Sequence, residues 1–368
     1  MKKVLVFGIT DNPGGVESVI MNYYRKIDKN VIQFDFLCNT DIVAYKDEII
    51  SLGGKIYNIT ARSKDISKYK NEMEQFFKEH SNEYNSIWVN VCSLANIDYL
   101  KYAKKYGIKK RIIHAHNSKN MDNFFRGILH KINKLIIKKY ATDFWSCSYE
   151  ASKFFYSKNI MESSNYIIIN NAIDCNNYKY NESVRNEYRT KMNISDKLVF
   201  CNVGRLHFQK NQEFVIKVFK EINNRISNSI LFLVGEGPDR EKLEALVDEL
   251  HLKDSVIFLG VRNDIHNIMQ ACDILLFPSL FEGLPLVLVE AQASDILIFS
   301  SEGLIDKKIL MNKKKLKFIS LQKNYKEWAD AIVDEWKTNY HRTDSTECII
   351  KNGFDLNTEI KKIEKLLI

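Results

Sequence analysis

Short apolar runs alternate along this chain with segments whose apolar residues recur every three or four positions. In the first half, KVLVFGI, FDFLC, SIWVNV, KRIIHAH, DFWSCS and YIIIN are short and mostly bounded by polar or turn residues. They are rich in β-branched and aromatic side chains, which predicts strands. Between them the spacing becomes helical: after Gly15, Val16, Val19, Ile20, Tyr23, Tyr24 and Ile27 share one helix face. KLVFCNVG, ILFLVGE, SVIFLG, DILLFPS and DILIFSS repeat the strand pattern in the second half, with helices expected from Asn211 to Ile222 and from Asp239 to Leu250. Two more helical patterns close the chain, one marked by Trp328, Ile332 and Trp336, the other by Ile360, Ile363 and Leu367 after a cap at Asn357 and Thr358. Alternation of this kind implies parallel sheets with helices on both faces. The expected class is α/β, with two doubly wound domains facing across a cleft. The polar stretch from Ile173 to Asp196 interrupts the pattern and is the candidate boundary.

Length agrees with this division, since 368 residues exceed one ordinary core and suit two domains of about 150 residues each plus extras. With 45% hydrophobic and 27% charged residues, a mainly disordered chain is excluded. The net charge of +8 fits an anionic partner without choosing among phosphate, nucleic acid and an acidic lipid surface. The cysteines Cys38, Cys92, Cys147, Cys175, Cys201, Cys272 and Cys348 form no CxxC pair and sit mostly in apolar runs, so buried free thiols and a reducing compartment are expected. Their spacing does not suit zinc. The apolar run Val4 to Ile9 is too short for a signal peptide, and no stretch approaches the roughly 20 apolar residues of a membrane span. A cytoplasmic protein is expected, with any membrane contact peripheral.

Several segments carry chemistry. In DNPGGVES, Gly14 and Gly15 lie between a strand and a helix, where free N–H groups could meet an anion or a sugar hydroxyl. A plain turn, with Glu17 favouring the helix dipole, fits the same residues. GxGxxG is absent. IIHAHNS ends a strand, and His116 at its tip is better placed for a ligand than His114, because parallel strands present their carboxyl ends to the crevice. A structural histidine is the other reading. VGRLHFQKN sets Arg205 and Lys210 after a strand, a planar fork and a point charge suited to a pyrophosphate, or else a solvated basic loop. LVGEGPDR places Gly235 and Gly237 at another strand-to-helix turn, with Pro238 fitting the first helical turn.

The most specific segment is FPSLFEGLPLVLVEAQAS. Glu282 and Glu290 flank one helix start, with Pro285 between them. One carboxylate can accept from sugar hydroxyls and the other from a ribose diol, although Glu282 could also act as an electrostatic cap. Finally, RGILHKINKLIIKKY mixes Ile128, Leu129, Ile132, Leu135 and Ile136 with Arg126, Lys131, Lys134, Lys138 and Lys139. Such a helix suits an anionic membrane surface, or a core-facing helix with a solvated basic face. No nucleic-acid motif is present, and no nucleic-acid partner is expected.

In order, FGITDNPGGVESVIMNYYRKID, HAHN, INNAID, GRLHFQKNQEF, GEGP and PSLFEGLPLVLVEAQAS resemble family 4 of the retaining nucleotide-sugar glycosyltransferases, with the two-domain GT-B fold of facing Rossmann-like domains. The resemblance covers nearly the whole chain and is strongest to enzymes that build capsular or exopolysaccharide units on a lipid carrier. It implies an N-terminal acceptor-side domain over 1–175, a donor-side domain over 176–345, and a helix over 346–368 that crosses back. It further implies that His116 contacts the donor sugar, Arg205 and Lys210 hold the diphosphate, Glu282 contacts the transferred sugar and Glu290 the ribose. Gly14, Gly15, Asn117, Gly204, Gly235, Gly283, Leu284, Pro285 and Leu286 would line the substrates, with Val261 and Arg262 beside the base. The expected reaction is retaining transfer of a hexosyl unit from a UDP-sugar to a lipid-linked or other saccharide. The sequence holds no DxD, so neither a metal nor another cofactor is expected. One departure stands out: the family's Gly and Pro after EAQAS are replaced by Asp295, Ile296 and Leu297, in a loop the resemblance puts near the donor pocket. That departure motivates an alternative, a non-catalytic nucleotide-sugar-binding subunit. A sugar-nucleotide epimerase is a third reading.

Overall fold

The structure is a computed structural model that describes residues 1–119, 124–282, 284–303, 311, 314–337 and 341–367. The chain divides into two compact units, Met1–Ala172 with Leu356–Ile368, and Ile173–Asp355.

The first unit holds β1 (Lys2–Phe7), β2 (Ile32–Cys38), β3 (Ile56–Asn58), β4 (Ser86–Val91), β5 (Lys110–Ala115), β6 (Asp143–Ser146) and β7 (Tyr166–Ile168). Their order is β3-β2-β1-β4-β5-β6-β7, all pairs parallel. Helix Gly15–Lys26 buries Val19, Ile20, Met21, Tyr23 and Tyr24 against this sheet. Tyr24 stacks on Phe34, and the Tyr23 hydroxyl donates to the Asn170 carbonyl at 2.6 Å. Helix Leu356–Leu367 packs on helix Gly15–Lys26.

The second unit holds β8 (Leu198–Val203), β9 (Ser229–Val234), β10 (Val256–Gly260), β11 (Ile274–Phe277), β12 (Leu297–Ser301) and β13 (Leu316–Ile319), in the order β10-β9-β8-β11-β12-β13 and again parallel. β9, β11 and β12 are buried at every residue, and the apolar runs ILFLV of β9, ILLF of β11 and LIF of β12 show no alternation. Phe200, Phe219, Leu231, Ile274 and Trp328 centre the core. Each unit is therefore a doubly wound, Rossmann-like α/β sandwich. Each strand order reverses at one place, between β1 and β4 and between β8 and β11, where such sheets open a crevice beyond their carboxyl ends.

Two differences from the sequence reading have physical causes. The boundary falls at the start of the polar stretch, between Ala172 and Ile173 rather than after residue 175, and the stretch itself is ordered structure of the second unit, including helices Cys175–Tyr178 and Glu182–Lys191. Arg185 and Arg189 of the second helix both pair with buried Asp273 at the foot of β11. The segment 346–368 is also split. Helix Thr346–Lys351 buries Ile349 and packs on helices Cys175–Tyr178 and Leu286–Ala293 in the second unit, and only the last helix joins the first.

Candidate active site

In the second unit the candidate residues follow the carboxyl ends of β8 and β11. The loop after β8 turns through Phe208–Lys210 and places Asn211 in the left-handed region at φ 58°. Three bonds join this turn to the loop after β11: the Leu280 amide donates to the Gln209 carbonyl at 2.8 Å, Gln209 Nε2 to the Phe281 carbonyl at 2.8 Å, and Asn211 Nδ2 to the Pro278 carbonyl at 3.1 Å. So aligned, Lys210 Nζ reaches Glu282 Oε1 at 2.8 Å and lies 5.2 Å from the centre of the Phe277 ring. Glu282 is buried, whereas Arg205 is exposed and its guanidinium makes no ion pair among the described residues.

Two glycines make room for this arrangement. Gly204 has φ 151°, and a Cβ there would stand 3.0 Å from Lys210 Cε. Gly235 has φ 134°, and a Cβ there would overlap the Gly204 carbonyl oxygen. The backbone ladder continues past the strand ends, with Gly204 N–H donating to the Val234 carbonyl and Gly235 N–H to that of Gly260. Gly237 packs as closely on Leu206. His207 is depressed below its ordinary pKa by burial and by Arg205.

Leu284 is half-buried, Pro285 is buried and caps helix Leu286–Ala293, and Leu286 opens its first turn. Gly283 lies outside the described residues. Glu290, one turn further on, retains some exposed surface, yet protein packs closely round its carboxyl. Desolvation raises it to about 7, against the opposing effect of a 2.9 Å hydrogen bond donated by the Tyr178 hydroxyl. Val261 is exposed, and Arg262 forks onto Asp264 at 2.7 and 2.8 Å.

Asp295, the departure from the family pattern, sits beyond the far end of this helix in the left-handed region at φ 55°. It is fully buried. Its carboxylate pairs with Lys315 and accepts from the Thr343 amide at 2.5 Å and the Ser345 hydroxyl at 2.6 Å. Asp tolerates the conformation that usually calls for glycine, because its short side chain bonds locally. Here it binds the following segments to the helix end.

In the first unit, His116 follows β5 and is buried. Asn90 Nδ2 donates to the Phe7 carbonyl at 3.2 Å, so Asn90 Oδ1 faces His116 Nε2, 2.9 Å away, and accepts a hydrogen bond from its N–H. Burial lowers His116 to about 3, which keeps the imidazole neutral. His114 is a core residue: its Nδ1 accepts from Trp88 Nε1 at 3.3 Å, and its ring centre lies 4.1 Å from that of His116. Asn117 is buried; its Oδ1 accepts from the Ser118 amide, while its Nδ2 has no partner among the described residues. Gly14 caps helix Gly15–Lys26, and open space surrounds Gly15. Glu17 is not the solvated dipole partner that its position suggested. It turns inward, accepts from the Thr10 hydroxyl at 2.6 Å, and burial raises its pKa.

The structure thus joins Lys210 directly to Glu282 and places Arg205 on the same loop. Glu290 it joins instead to Tyr178. Sequence reasoning missed Tyr178 and Asn90: the first lies in the polar stretch read as a boundary, and the second is one polar residue at a strand end with no local signal.

Residues 184–353 match the family of glycosyl transferases group 1. The chain is 31% identical over 302 residues, 80% of its own length and 78% of the relative's, to the candidate glycosyltransferase EpsF of Bacillus subtilis (strain 168). Over 101 residues, 27% of this chain and 26% of the relative, it is 41% identical to UDP-Gal:alpha-D-GlcNAc-diphosphoundecaprenol alpha-1,3-galactosyltransferase of Escherichia coli. Anabaena Alr3699/HepE in complex with UDP-glucose has a similar structure, with a TM-score of 0.80 and 19% identity over 100% of this chain and 99% of HepE. With the two parallel sheets, this likeness makes the architecture the two-domain α/β fold called GT-B. From the matched family and the EpsF relationship together, the chain belongs to the glycosyl transferases of group 1.

Proposed function

We propose that this glycosyltransferase moves a hexosyl unit from a UDP-sugar to a lipid-linked saccharide in cell-surface polysaccharide synthesis, with retention of anomeric configuration and without a metal. The observation that carries the reading is the Lys210–Glu282 pair held beside Gly204 and Gly235 at the switch point of the second sheet. HepE binds UDP-glucose, and the Escherichia coli relative is named for a UDP-galactose donor and a diphosphoundecaprenol-linked acceptor, which supports the donor and acceptor classes.

In this reading Arg205 and Lys210 face the diphosphate, Glu282 the transferred sugar and Glu290 the ribose, while His116 meets the donor sugar as a neutral hydrogen-bonding group. The barrier is departure of the diphosphate from an oxocarbenium-like sugar. Lys210, held in place by Glu282, and the nearby Arg205 stabilise the charge that develops on the leaving oxygen. The acceptor hydroxyl oxygen bonds to the anomeric carbon on the face the diphosphate leaves, and its proton passes to the departing phosphate oxygen. The products are the glycoside and UDP. The acceptor's lipid places the work peripherally at the inner face of the cell membrane. Among the described residues no helix is long and apolar enough to cross a bilayer.

A thermal-shift screen of UDP-, GDP- and dTDP-sugars tests the donor, because selective binding raises the melting temperature by mass action. Proton NMR of the product gives the anomeric outcome, and turnover undiminished by EDTA tests metal independence. Stabilisation by GDP- or dTDP-sugars alone, or an inverted product, overturns the corresponding part. Turnover by the purified chain also separates the enzyme from the non-catalytic subunit.

A further inference from the structure

Helix Phe124–Ile136 turns two polar residues to the protein and its large apolar residues to solvent. His130 and Asn133 are buried. His130 Nδ1 accepts from the Leu94 amide at 3.0 Å, its Nε2 donates to the Phe154 carbonyl at 3.1 Å, and Asn133 Nδ2 donates to the Leu94 carbonyl at 2.7 Å. These bonds fix the rotation of the helix. Phe124, Phe125, Ile128, Leu129, Ile132 and Leu135 consequently face outward, between 40% and 84% exposed. At 100° per residue they form one continuous stripe.

Charge identifies what covers it. Residues 124–139 include Arg126, Lys131, Lys134, Lys138 and Lys139 and no acid. A groove of about 440 Å³ runs beside Leu135, lined by Lys131, Lys134, Lys138, Ser157 and Asn159. Lys134 donates to the Lys153 and Phe154 carbonyls at 2.6 and 2.9 Å. Lys131 and Lys138 are exposed and make no ion pair among the described residues, which leaves two cations and two polar side chains open to an anion. A second copy packed on this face would set lysines against lysines, whereas an anionic bilayer supplies both the apolar layer and the opposite charge.

We propose that this helix lies in the surface of an anionic bilayer, its apolar stripe entering the acyl boundary and the Lys131–Lys138 groove seating a lipid phosphate. The inference deepens the membrane location proposed above and rests on it, but not on the donor or the reaction.

Co-sedimentation with phosphatidylcholine vesicles, with and without phosphatidylglycerol, tests it in the full chain. Ile132→Glu/Leu135→Glu disrupts the stripe, Lys131→Glu/Lys138→Glu the groove, and Lys70→Glu/Lys78→Glu makes the same charge change on exposed lysines of another helix. All substituted side chains are exposed, and circular dichroism melting verifies folding. The expected result is binding to the anionic vesicles alone, weakened at least about tenfold by the stripe and groove variants and little by the third. Parent protein that fails to bind, including one that self-associates through the stripe instead, overturns both this face and the membrane location. Stripe variants that bind like the parent overturn the face and leave the location standing. Equal loss in the groove and control variants overturns the phosphate seat.

Discussion

Lys210 Nζ and Glu282 Oε1 stand 2.8 Å apart, joining the loop after β8 to the loop after β11 across the point where the strand order reverses. The Glu282 side chain is nearly enclosed, at 8% exposure, while that of Lys210 keeps 18%. Lys210 is therefore committed to Glu282 at its Nζ, while part of its side chain stays exposed. In the proposed reaction it holds a carboxylate in place and remains available to a phosphate.

Lys210→Ala takes the neighbouring cation from that enclosed carboxylate, and chemical denaturation should show a loss of about 3 kcal/mol. Pairing Lys210→Met with Glu282→Gln removes both charges and should restore most of the stability. Transfer activity should stay about 10²-fold or more below the parent in both proteins, since the stabilising cation is absent from each. Recovery of activity in the double variant would remove Lys210 from the chemistry.

Gly235→Ala should cost more than the usual 1 kcal/mol or so of a strained non-glycine residue. The added Cβ meets the Gly204 carbonyl, which cannot move without disturbing the backbone over Lys210. Both the melting temperature and UDP-sugar affinity should fall. An unchanged melting temperature would show that the two loops can part freely.

Much of this was legible in the sequence, for identifiable reasons. Strands such as β9 and β11 are buried on both faces and so stand out as the apolar runs ILFLV and ILLF. β3 and β13, at the sheet edges, are three and four residues long and partly exposed, and they carry no such contrast. Lys210 and Glu282 could each be singled out by residue type and position, but their pairing spans 72 residues and arises only when β8 and β11 become neighbours. Tyr178 had no signal of its own. The helix containing Leu135 showed its amphipathic pattern clearly, yet periodicity does not say which face turns inward. That is decided by Leu94 and Phe154, which supply the hydrogen-bond partners of His130 and Asn133.

Asp295→Gly restores the residue expected of the family and should nonetheless destabilise this chain. Glycine relieves the left-handed backbone by about 1 kcal/mol. It also strips Lys315, the Thr343 amide and the Ser345 hydroxyl of a shared buried partner, and breaking a buried pair costs about 3–5 kcal/mol. The net effect should be a lower melting temperature. Asp295→Gly/Lys315→Met should recover part of the loss, and a single variant as stable as the parent would show that the carboxylate is dispensable.

Glu290 gives a pH dependence with a definite sign. Its carboxyl is raised from the ordinary 4.5 to about 7, so between those values the folded chain holds a proton that the unfolded chain releases. Its contribution to stability therefore falls as pH rises through that window and levels off above about 7. Ligand binding should run the other way. A ribose diol donates two hydrogen bonds best to an ionised carboxylate, so UDP-glucose, whose diphosphate diester does not titrate in this range, should bind more tightly as pH rises towards 7, by up to about tenfold per pH unit. Calorimetry in buffers of different ionisation enthalpy should detect proton release on binding at pH 6. Glu290→Gln should weaken binding and flatten the pH profile. Tyr178→Phe, lacking the hydrogen bond that favours the ionised form, should move the midpoint upward by about half a unit or more. A flat profile in the parent, or one that Glu290→Gln leaves unchanged, would take Glu290 away from the ribose.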